Sequence, residues 1–203
     1  MKNDVMLIVL TENHWLYTGL AALLPEMDSL RVGFSSPYLP PEVRAAGRVI
    51  IAVDSRIVLR GEWSALNTLH ALRPDAILVW LACEQSGRLC PFANQRYLCV
   101  SQRQDITSLR LALRQSGQYS QGKFARIKNI NLTLTERHML PFFLSGMSIH
   151  LVSRITGKPL KTLYAHRKKI LEKTGMRQLA FLQFVNERNQ GLPGIFGLEG
   201  VNK

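Results

Sequence analysis

The sequence predicts an α/β domain of the doubly wound type, followed by an all-α domain of four helices. Up to residue 116, short and uniformly apolar runs alternate with helix-like segments, which is the order of a parallel sheet covered by helices. From residue 131 onward, apolar residues recur at helical spacing and glycines interrupt them. We expect domains at 1–116 and 131–190, a polar linker at 117–130 and a flexible tail at 191–203.

Five apolar runs predict the strands of the first domain, and three amphipathic segments predict its helices. Runs without polar alternation are typical of strands that are buried on both faces. Two stretches rich in Pro, Gly and Ser, at 35–41 and 82–95, lack periodicity, so we expect short or broken helices there. The strands are expected at 5–10, 30–34, 49–53, 76–81 and 97–100, and the helices at 15–24, 63–72 and 106–115.

Positive charge is concentrated in the second domain. The chain has 26 Lys+Arg against 14 Asp+Glu, a net charge of +12. Residues 126–203 contain 13 of the basic residues and only 4 of the acidic ones, which gives that part a charge of +9. Such asymmetry favours a polyanionic partner, with nucleic acid as the first candidate. The alternative is a basic surface that only faces solvent.

Composition and motifs exclude several classes of protein. No apolar run reaches the roughly 18 residues of a membrane span. The first residues lack a cleavage site for secretion, so we expect no membrane partner and a cytoplasmic location. The three cysteines form no C-x-x-C pair, which argues against a zinc site. Phosphate-binding glycine motifs, a nucleophile elbow and an H-E-x-x-H string are all missing, so we expect no enzyme, no cofactor and no metal.

The second domain begins with two short helices that carry their own capping signals. Thr133 followed by Glu136 forms a capping box for the first helix. Ser148 caps the second helix, and a glycine suits the end of each. A third helix at 160–174 and a fourth at 178–188 complete the domain.

The third predicted helix has one apolar face and one cationic face. Leu163, His166 and Ile170 recur at intervals of three and four, so this side packs on the core. Two short helices joined by a tight turn, the second of them basic, form a helix-turn-helix motif. Such a helix fits the major groove of duplex DNA, where base edges are distinguishable. The opposite face carries Lys161, Tyr164, Ala165, Arg167, Lys168 and Lys169.

The segment 132–176 resembles the DNA-binding domain of LuxR/FixJ/NarL-type transcription regulators, with the family's spacing and no gap. It departs from the family at Pro141, which removes one ladder bond inside the first helix, and at Pro159, which offers no capping oxygen to the third. It also has Leu151-Val152-Ser153 where the family has Glu-Ile-Ala. The residues that carry the resemblance are Leu132, Thr133, Glu136, Leu140, Gly146, Met147, Ser148, Val152, Lys161, Thr162, Leu163, His166, Arg167, Ile170, Lys173, Gly175 and Met176.

The resemblance implies a double-stranded DNA partner and a division of roles along the third helix. Lysine donates to guanine acceptors and a small alanine permits close approach, which agrees with that division. The alternative is that the Arg167–Lys168–Lys169 triplet is a solvated helix face. The implied base-facing residues are Tyr164, Ala165 and Lys168, and the implied phosphate-facing residues are Lys161, Thr162, Arg167 and Lys169.

The last helix carries more apolar residues than one core face requires, which fits the dimer contact that the resemblance implies. We expect a homodimer, or a heterodimer with another LuxR-type regulator, and RNA polymerase is a further candidate partner. The alternative is that all these side chains pack inside the domain. The residues are Phe181, Leu182, Phe184 and Val185.

The first domain is similar to the receiver domain that often precedes this DNA-binding domain. Residues 11–24 match its first loop and helix, and Asp54 ends the third predicted strand, where receivers carry their phospho-acceptor. Phosphorylation also needs a divalent cation held by carboxylates. The acidic pair is reduced to Glu12-Asn13, no hydroxyl lies in Leu81-Ala82-Cys83, and Val100-Ser101 lacks the lysine. The receiver is therefore predicted to be degenerate.

A degenerate receiver predicts an interaction module, as in the auxiliary Rcs-type regulators that act with a partner. The resulting hypothesis is a sequence-specific transcription regulator that works without phosphorylation. Two alternatives stay open. One is a conventional response regulator phosphorylated on Asp54, and the other is a regulator that senses a small molecule near Asn13, Asp54 and Ala82.

Overall fold

The chain forms two compact units in a computed structural model that describes residues 5–86, 89, 97–118 and 130–189. The sheet unit contains the five strands, and the helical unit contains the helices that follow residue 130. The predicted tail at 191–203 and nearly all of the predicted linker at 117–130 lie outside the described residues.

The sheet unit is built on one parallel sheet. Its strands are β1 (Val5–Leu10), β2 (Asp28–Val32), β3 (Arg48–Asp54), β4 (Ile77–Ala82) and β5 (Tyr97–Ser101), and its helices are α1 (His14–Leu23), α2 (Glu42–Ala45), α3 (Ile57–Arg60), α4 (Ser64–Leu72) and α5 (Ile106–Gln118). The strand order is β2-β1-β3-β4-β5, so the winding direction reverses between β1 and β3. The predicted doubly wound α/β fold is confirmed.

Apolar side chains on both faces of the central strands hold this sheet between its helices. On one face, Leu7 and Val9 of β1 pack in a single cluster with Leu20 of α1 and Leu113 of α5. Side chains alternate along a strand, so Ile8 faces the other side, where it is also fully buried. This double burial explains why the strands read as continuous apolar runs.

Two short helices, one strand and the end of α5 differ from the prediction. α5 continues to Gln118, three residues past its predicted end and into the predicted linker. α2 and α3 span four residues each, too short for a sequence period, and they depend on the burial of Val43, Ile57 and Val58. β2 begins at Asp28 and ends at Val32, two residues before the predicted end. Of the pattern-poor stretch at 82–95, the described part holds a 3₁₀ turn at Glu84–Ser86.

The described part of the helical unit contains four α-helices, and the first two have the capping groups that the sequence predicts. They are α6 (Leu134–Leu144), α7 (Ile149–Thr156), α8 (Leu160–Thr174) and α9 (Leu179–Arg188). The Glu136 amide donates to Thr133 Oγ1 at 3.2 Å, and the Thr133 amide donates to Glu136 Oε2 at 2.8 Å, which confirms the capping box. The Leu151 amide donates to Ser148 Oγ at 3.3 Å and begins α7. Pro141 lies inside α6 and has no amide hydrogen to donate, so one ladder bond is missing.

Each of the four helices contributes a fully buried side chain to the core of this unit. These are Leu140, Val152, Leu163 and Leu182, all 0% exposed. Helices this short are stabilised mainly by such tertiary burial. In the described part of the chain, no helix is both long and apolar enough to cross a membrane.

Arg73 is the polar anchor of the sheet unit. Its guanidinium donates to the carbonyl oxygens of Val43, Ala46 and Gly47 at 2.7–3.1 Å, and it pairs with Asp75 at 2.8 Å. The side chain is nearly buried and ties the segment after α2 to the end of α4.

Replacing Arg73 by Met should destabilise the sheet unit by about 2–4 kcal/mol, because three carbonyl groups lose their donor where water has little access. All three tryptophans, Trp15, Trp63 and Trp80, belong to this unit, so urea unfolding followed by tryptophan fluorescence isolates it. Arg60→Met removes the same charge from an exposed position on α3 and is the matched control. Equal stability of the two variants would show that the anchor contributes nothing.

Candidate nucleic-acid interface

The helix α8 is positioned by a tight turn rather than by a side-chain cap. Pro159 precedes it without a capping oxygen, and its carbonyl accepts the amides of Thr162 and Leu163 at 3.0 and 3.1 Å. Gly157 ends α7 in the left-handed region at φ 67°, and Ser153 Oγ donates to the Lys158 carbonyl at 2.7 Å across the turn. These contacts fix the turn between the two helices, as a helix-turn-helix requires.

One side of α8 is buried and the other is open. Leu163, Ile170 and Thr174 are at most 1% exposed, and His166 is half-buried beside them, as predicted for the packed face. Of the predicted DNA-contact residues, Lys161, Thr162, Tyr164, Ala165, Lys168 and Lys169 are exposed and Arg167 is half-buried. The structure thus leaves six of the seven exposed and the seventh half-buried, and their roles toward DNA stay a prediction.

The cations of α8 differ in how far they are already neutralised. Lys173 is half-buried and donates to the buried Glu136 at 2.6 Å. Lys168 lies 3.9 Å from Glu172 in a solvent-exposed pair, which is weak at this distance and exposure. The remaining three have no carboxylate within ion-pair distance in the described part of the chain, and they are Lys161, Arg167 and Lys169.

Glu136 connects the first and third helices of this unit. It is 2% exposed and accepts from both the Thr133 amide and the Lys173 ammonium. Burial alone would raise the pKa of its carboxyl, but the hydrogen bonds from Lys173 and Thr133 outweigh burial and lower that pKa below its ordinary value. The carboxylate is therefore charged. Its bond to the Thr133 amide closes the first turn of α6, and its bond to Lys173 links α6 to α8.

The last helix divides between core and surface. Leu182 and Val185 are 0% exposed and pack inside the unit, so the expectation that they form a dimer contact is wrong for these two residues. Phe184 is 38% exposed and its ring stacks on Phe181 at 6.1 Å between centroids. The guanidinium of Arg188 lies 5.4 Å from the centre of the Phe184 ring. The surface available to a partner on α9 is thus smaller than the sequence indicates.

Asp54 lies at the carboxyl edge of the sheet and is fully occupied by internal donors. Its Oδ2 accepts from Thr11 Oγ1 at 2.7 Å and from Arg56 Nη2 at 2.8 Å. Its Oδ1 accepts from the Arg56 amide at 3.1 Å and from Gln102 Nε2 at 3.2 Å. Arg56 Nε reaches both oxygens, at 3.0 and 3.1 Å. A resident guanidinium therefore neutralises this carboxylate, which is 1% exposed.

Glu12, the acidic residue after β1, is bound to a backbone amide and not to Asp54. Glu12 Oε1 accepts the Phe34 amide at 2.8 Å, so its carboxylate is engaged beyond the end of β2. The carboxylate also lies close to Gly33, where an added Cβ would come within 2.9 Å of the same oxygen. The described residues contain no group of three or more His, Cys, Asp or Glu side chains that could hold a metal ion.

Sequence reasoning missed the residues that neutralise the carboxylates. Arg56 lies two residues after Asp54, and that spacing was the only signal for its role. Gln102 and Thr11 reach the same carboxylate from other strand ends, which only the sheet order brings together. Glu172, which pairs with Lys168, was also missed, although a spacing of four residues predicts such a pair on one helix face.

Comparison with known proteins supports the fold. No model of a protein family and no curated protein matches this chain. A structure of two RcsB dimers bound to two parallel DNAs matches with a TM-score of 0.62 and 14% identity, covering 92% of this chain and 99% of that one. A complex of the two-component response regulator RcsB with DNA matches with a TM-score of 0.59 and 13% identity, covering 92% and 99%.

A third match is RcsB from Salmonella enterica serovar Typhimurium, bound to the rprA promoter in the presence of phosphomimetic BeF₃⁻. Its TM-score is 0.58 at 14% identity, and 90% of this chain and 98% of that chain are covered. At such identities the similarity concerns the fold. The predicted resemblance to regulators with a receiver-like domain and a helical DNA-binding domain is confirmed at that level.

Glu136→Gln should lower the free energy of unfolding of the helical unit by about 1–2 kcal/mol at pH 7, because Lys173 loses its negatively charged partner. The pKa of Glu136 is lower in the folded chain, so the pair's contribution is fully present above the unfolded value near 4.5 and is lost as pH falls through the folded value. Hydrogen exchange of the α6 and α8 amides, followed by mass spectrometry, measures this loss of stability at pH 7 and at a pH below the folded pKa of Glu136.

Glu172→Gln is the control for this measurement, because it removes a carboxylate from the exposed Lys168 pair. We expect it to change exchange by less than about 0.5 kcal/mol. A deficit of Glu136→Gln that persisted unchanged at acid pH would contradict the ion pair as its cause.

Proposed function

We propose that the protein is a sequence-specific DNA-binding transcription regulator that inserts α8 into the major groove. The observation that carries this proposal is the exposed face of α8, on which Lys161, Arg167 and Lys169 have no carboxylate partner among the described residues. A buried stripe holds the helix in place, so this charge is presented on a rigid element. Duplex DNA is a polyanion whose major groove, about 12 Å wide, admits such a helix.

The similar structures support a DNA partner. All three RcsB structures described above contain DNA, and they share the fold of this chain. Their low identity means that the contacts have to come from this chain's own residues. We assign base contacts to Ala165 and Lys168, with Lys168 donating to guanine acceptors. We assign phosphate contacts to Lys161, Thr162, Arg167 and Lys169.

We also propose that the regulator acts without phosphorylation. A receiver-type phosphoryl transfer needs a free aspartate oxygen and a divalent cation on neighbouring carboxylates. Both oxygens of Asp54 already accept from Arg56, and Glu12 is bound to the Phe34 amide. The guanidinium thus supplies, permanently, the positive charge that a bound cation would supply transiently.

The chain is further proposed to bind DNA as a dimer, either with itself or with another LuxR-type regulator. One of the similar structures contains RcsB dimers on DNA. In this chain Phe184 and the stacked Phe181 remain as the apolar contact residues on α9. RNA polymerase stays a candidate partner, and the site of action would be the compartment that holds the chromosome, the cytoplasm.

Lys168→Ala should weaken binding to a preferred duplex by roughly 1–3 kcal/mol and change the preferred bases, because a base contact is lost. Lys169→Ala should weaken binding to all duplexes alike and reduce the salt dependence. Duplexes selected from a random pool, and an unrelated duplex, are titrated by fluorescence anisotropy. Arg31→Ala, an exposed cation on β2, is the charge-matched control.

Equal losses from Lys168→Ala and Lys169→Ala on every sequence would remove the division between base and phosphate contacts. Absence of duplex binding by the wild-type chain at low salt would overturn the function itself. Tight, selective binding by the purified chain alone would argue against an obligatory second regulator.

Incubation with acetyl phosphate and Mg²⁺ should leave the wild-type protein without a phosphate adduct and its DNA affinity unchanged, since Arg56 blocks both oxygens of Asp54. Intact mass spectrometry detects the adduct, and Asp54→Asn identifies its position. A wild-type adduct that is lost in Asp54→Asn, together with tighter DNA binding, would establish the conventional phosphorylated regulator instead.

A further inference from the structure

We infer that Tyr164 is a positioning residue for Arg167, holding the Arg167 guanidinium ready for a backbone phosphate of duplex DNA. The inference rests on the proposed DNA-binding function and gives Tyr164 a positioning role in place of the base contact that the resemblance implies. The juxtaposition that carries it is direct. The Arg167 guanidinium carbon lies 4.7 Å from the centre of the Tyr164 ring.

The contact with the ring gives Arg167 no oxygen acceptor for its N–H groups. A guanidinium that lies over an aromatic ring is attracted by the negative face of the ring, and its planar fork of five N–H donors can still bind oxygen acceptors. A phosphate accepts such donors in pairs. Ring stacking therefore orients the group without satisfying it, whereas a carboxylate would consume the same donors.

Two arginines of the sheet unit show the contrast. Arg56 is paired with Asp54, and Arg73 donates to three carbonyl groups and pairs with Asp75. Arg167, by comparison, has no carboxylate within ion-pair distance in the part of the chain that the structure describes. It is a cation that has been placed in an orientation but not neutralised.

The position of Tyr164 is not explained by the core. Its side chain is 46% exposed, whereas the neighbouring Leu163 is fully buried and supplies the packing of this turn. Residues three apart on a helix are neighbours, so Tyr164 and Arg167 form one pair on the margin of the exposed face. A long arginine side chain loses rotamer freedom when it binds, and a ring that already restrains it reduces that loss.

The test compares Tyr164→Phe, which keeps the ring, with Tyr164→Leu, which keeps an apolar side chain without one. Full-length variants are titrated with an unrelated duplex over a range of KCl concentrations. Tyr164→Phe should bind like wild type. Tyr164→Leu should bind about three- to tenfold more weakly, and the slope of log K against log salt should fall by about 0.9, as for one lost phosphate contact.

Arg167→Gln should reproduce the slope change of Tyr164→Leu. The double variant should bind no more weakly than Arg167→Gln alone, because both substitutions remove the same phosphate contact. A wild-type slope in Tyr164→Leu, or additive losses in the double variant, would overturn the inference while leaving DNA binding in place. Absence of duplex binding by wild type would overturn the proposed function.

A readout without DNA separates the two failures. In the free protein, ring-current shifts of the Arg167 side-chain protons should be present in wild type and Tyr164→Phe and absent in Tyr164→Leu. Unshifted protons in wild type would refute the stacking itself, whatever the DNA titration shows. Unchanged melting of all three proteins confirms that a folding defect is not being measured.

Discussion

The orientation of α8 depends on one buried carboxylate. Glu136 lies where α6 begins, and it accepts from Lys173 in the last turn of α8. A buried charge is costly unless it is paired, so rotating α8 about its axis would leave Glu136 without its cation. Leu163 and Ile170 face the core in the same orientation, which turns the cationic side outward. The internal ion pair and the buried apolar side chains therefore support the external face together.

A similar pairing has the opposite consequence in the sheet unit. Asp54 is also buried and also neutralised by a cation of its own chain, but Arg56 covers the edge at which chemistry would occur. In the helical unit the internal pair leaves neighbouring cations unpaired, and in the sheet unit it leaves the carboxylate without a free oxygen. Each unit thus contains a buried carboxylate that is paired with a cation of the same chain. The position of the pair leaves the cations of α8 open to a partner in one unit and covers the carboxylate of Asp54 in the other.

The sequence predicted those elements whose signals are local. α8 begins and ends at the predicted residues because Pro159 and Gly175 bracket it, and the uniformly apolar β1 was equally well defined. The four-residue helices α2 and α3 could not be predicted, since only tertiary burial stabilises them. The donors to Asp54 come from three separated segments, and no periodicity links such residues. The number of apolar residues in α9 also overstated its apolar surface, since Leu182 and Val185 are buried in the core.

The placement of the unpaired cations around α8 is more informative about a binding partner than the net charge of the helical unit. At about 100° per residue, Arg167 and Lys169 lie on opposite margins of the open side of α8, with Ala165 and Lys168 between them. A helix with side chains is about 10–12 Å across, close to the width of the major groove, whose two walls are phosphate strands. Lys161, the third unpaired cation, lies between these margins in the first turn of the helix, so positive charge extends across the open side of α8. Under the proposed DNA-binding function, the cations on the two margins would face the two phosphate walls, while Ala165 and Lys168 would face the floor of the groove.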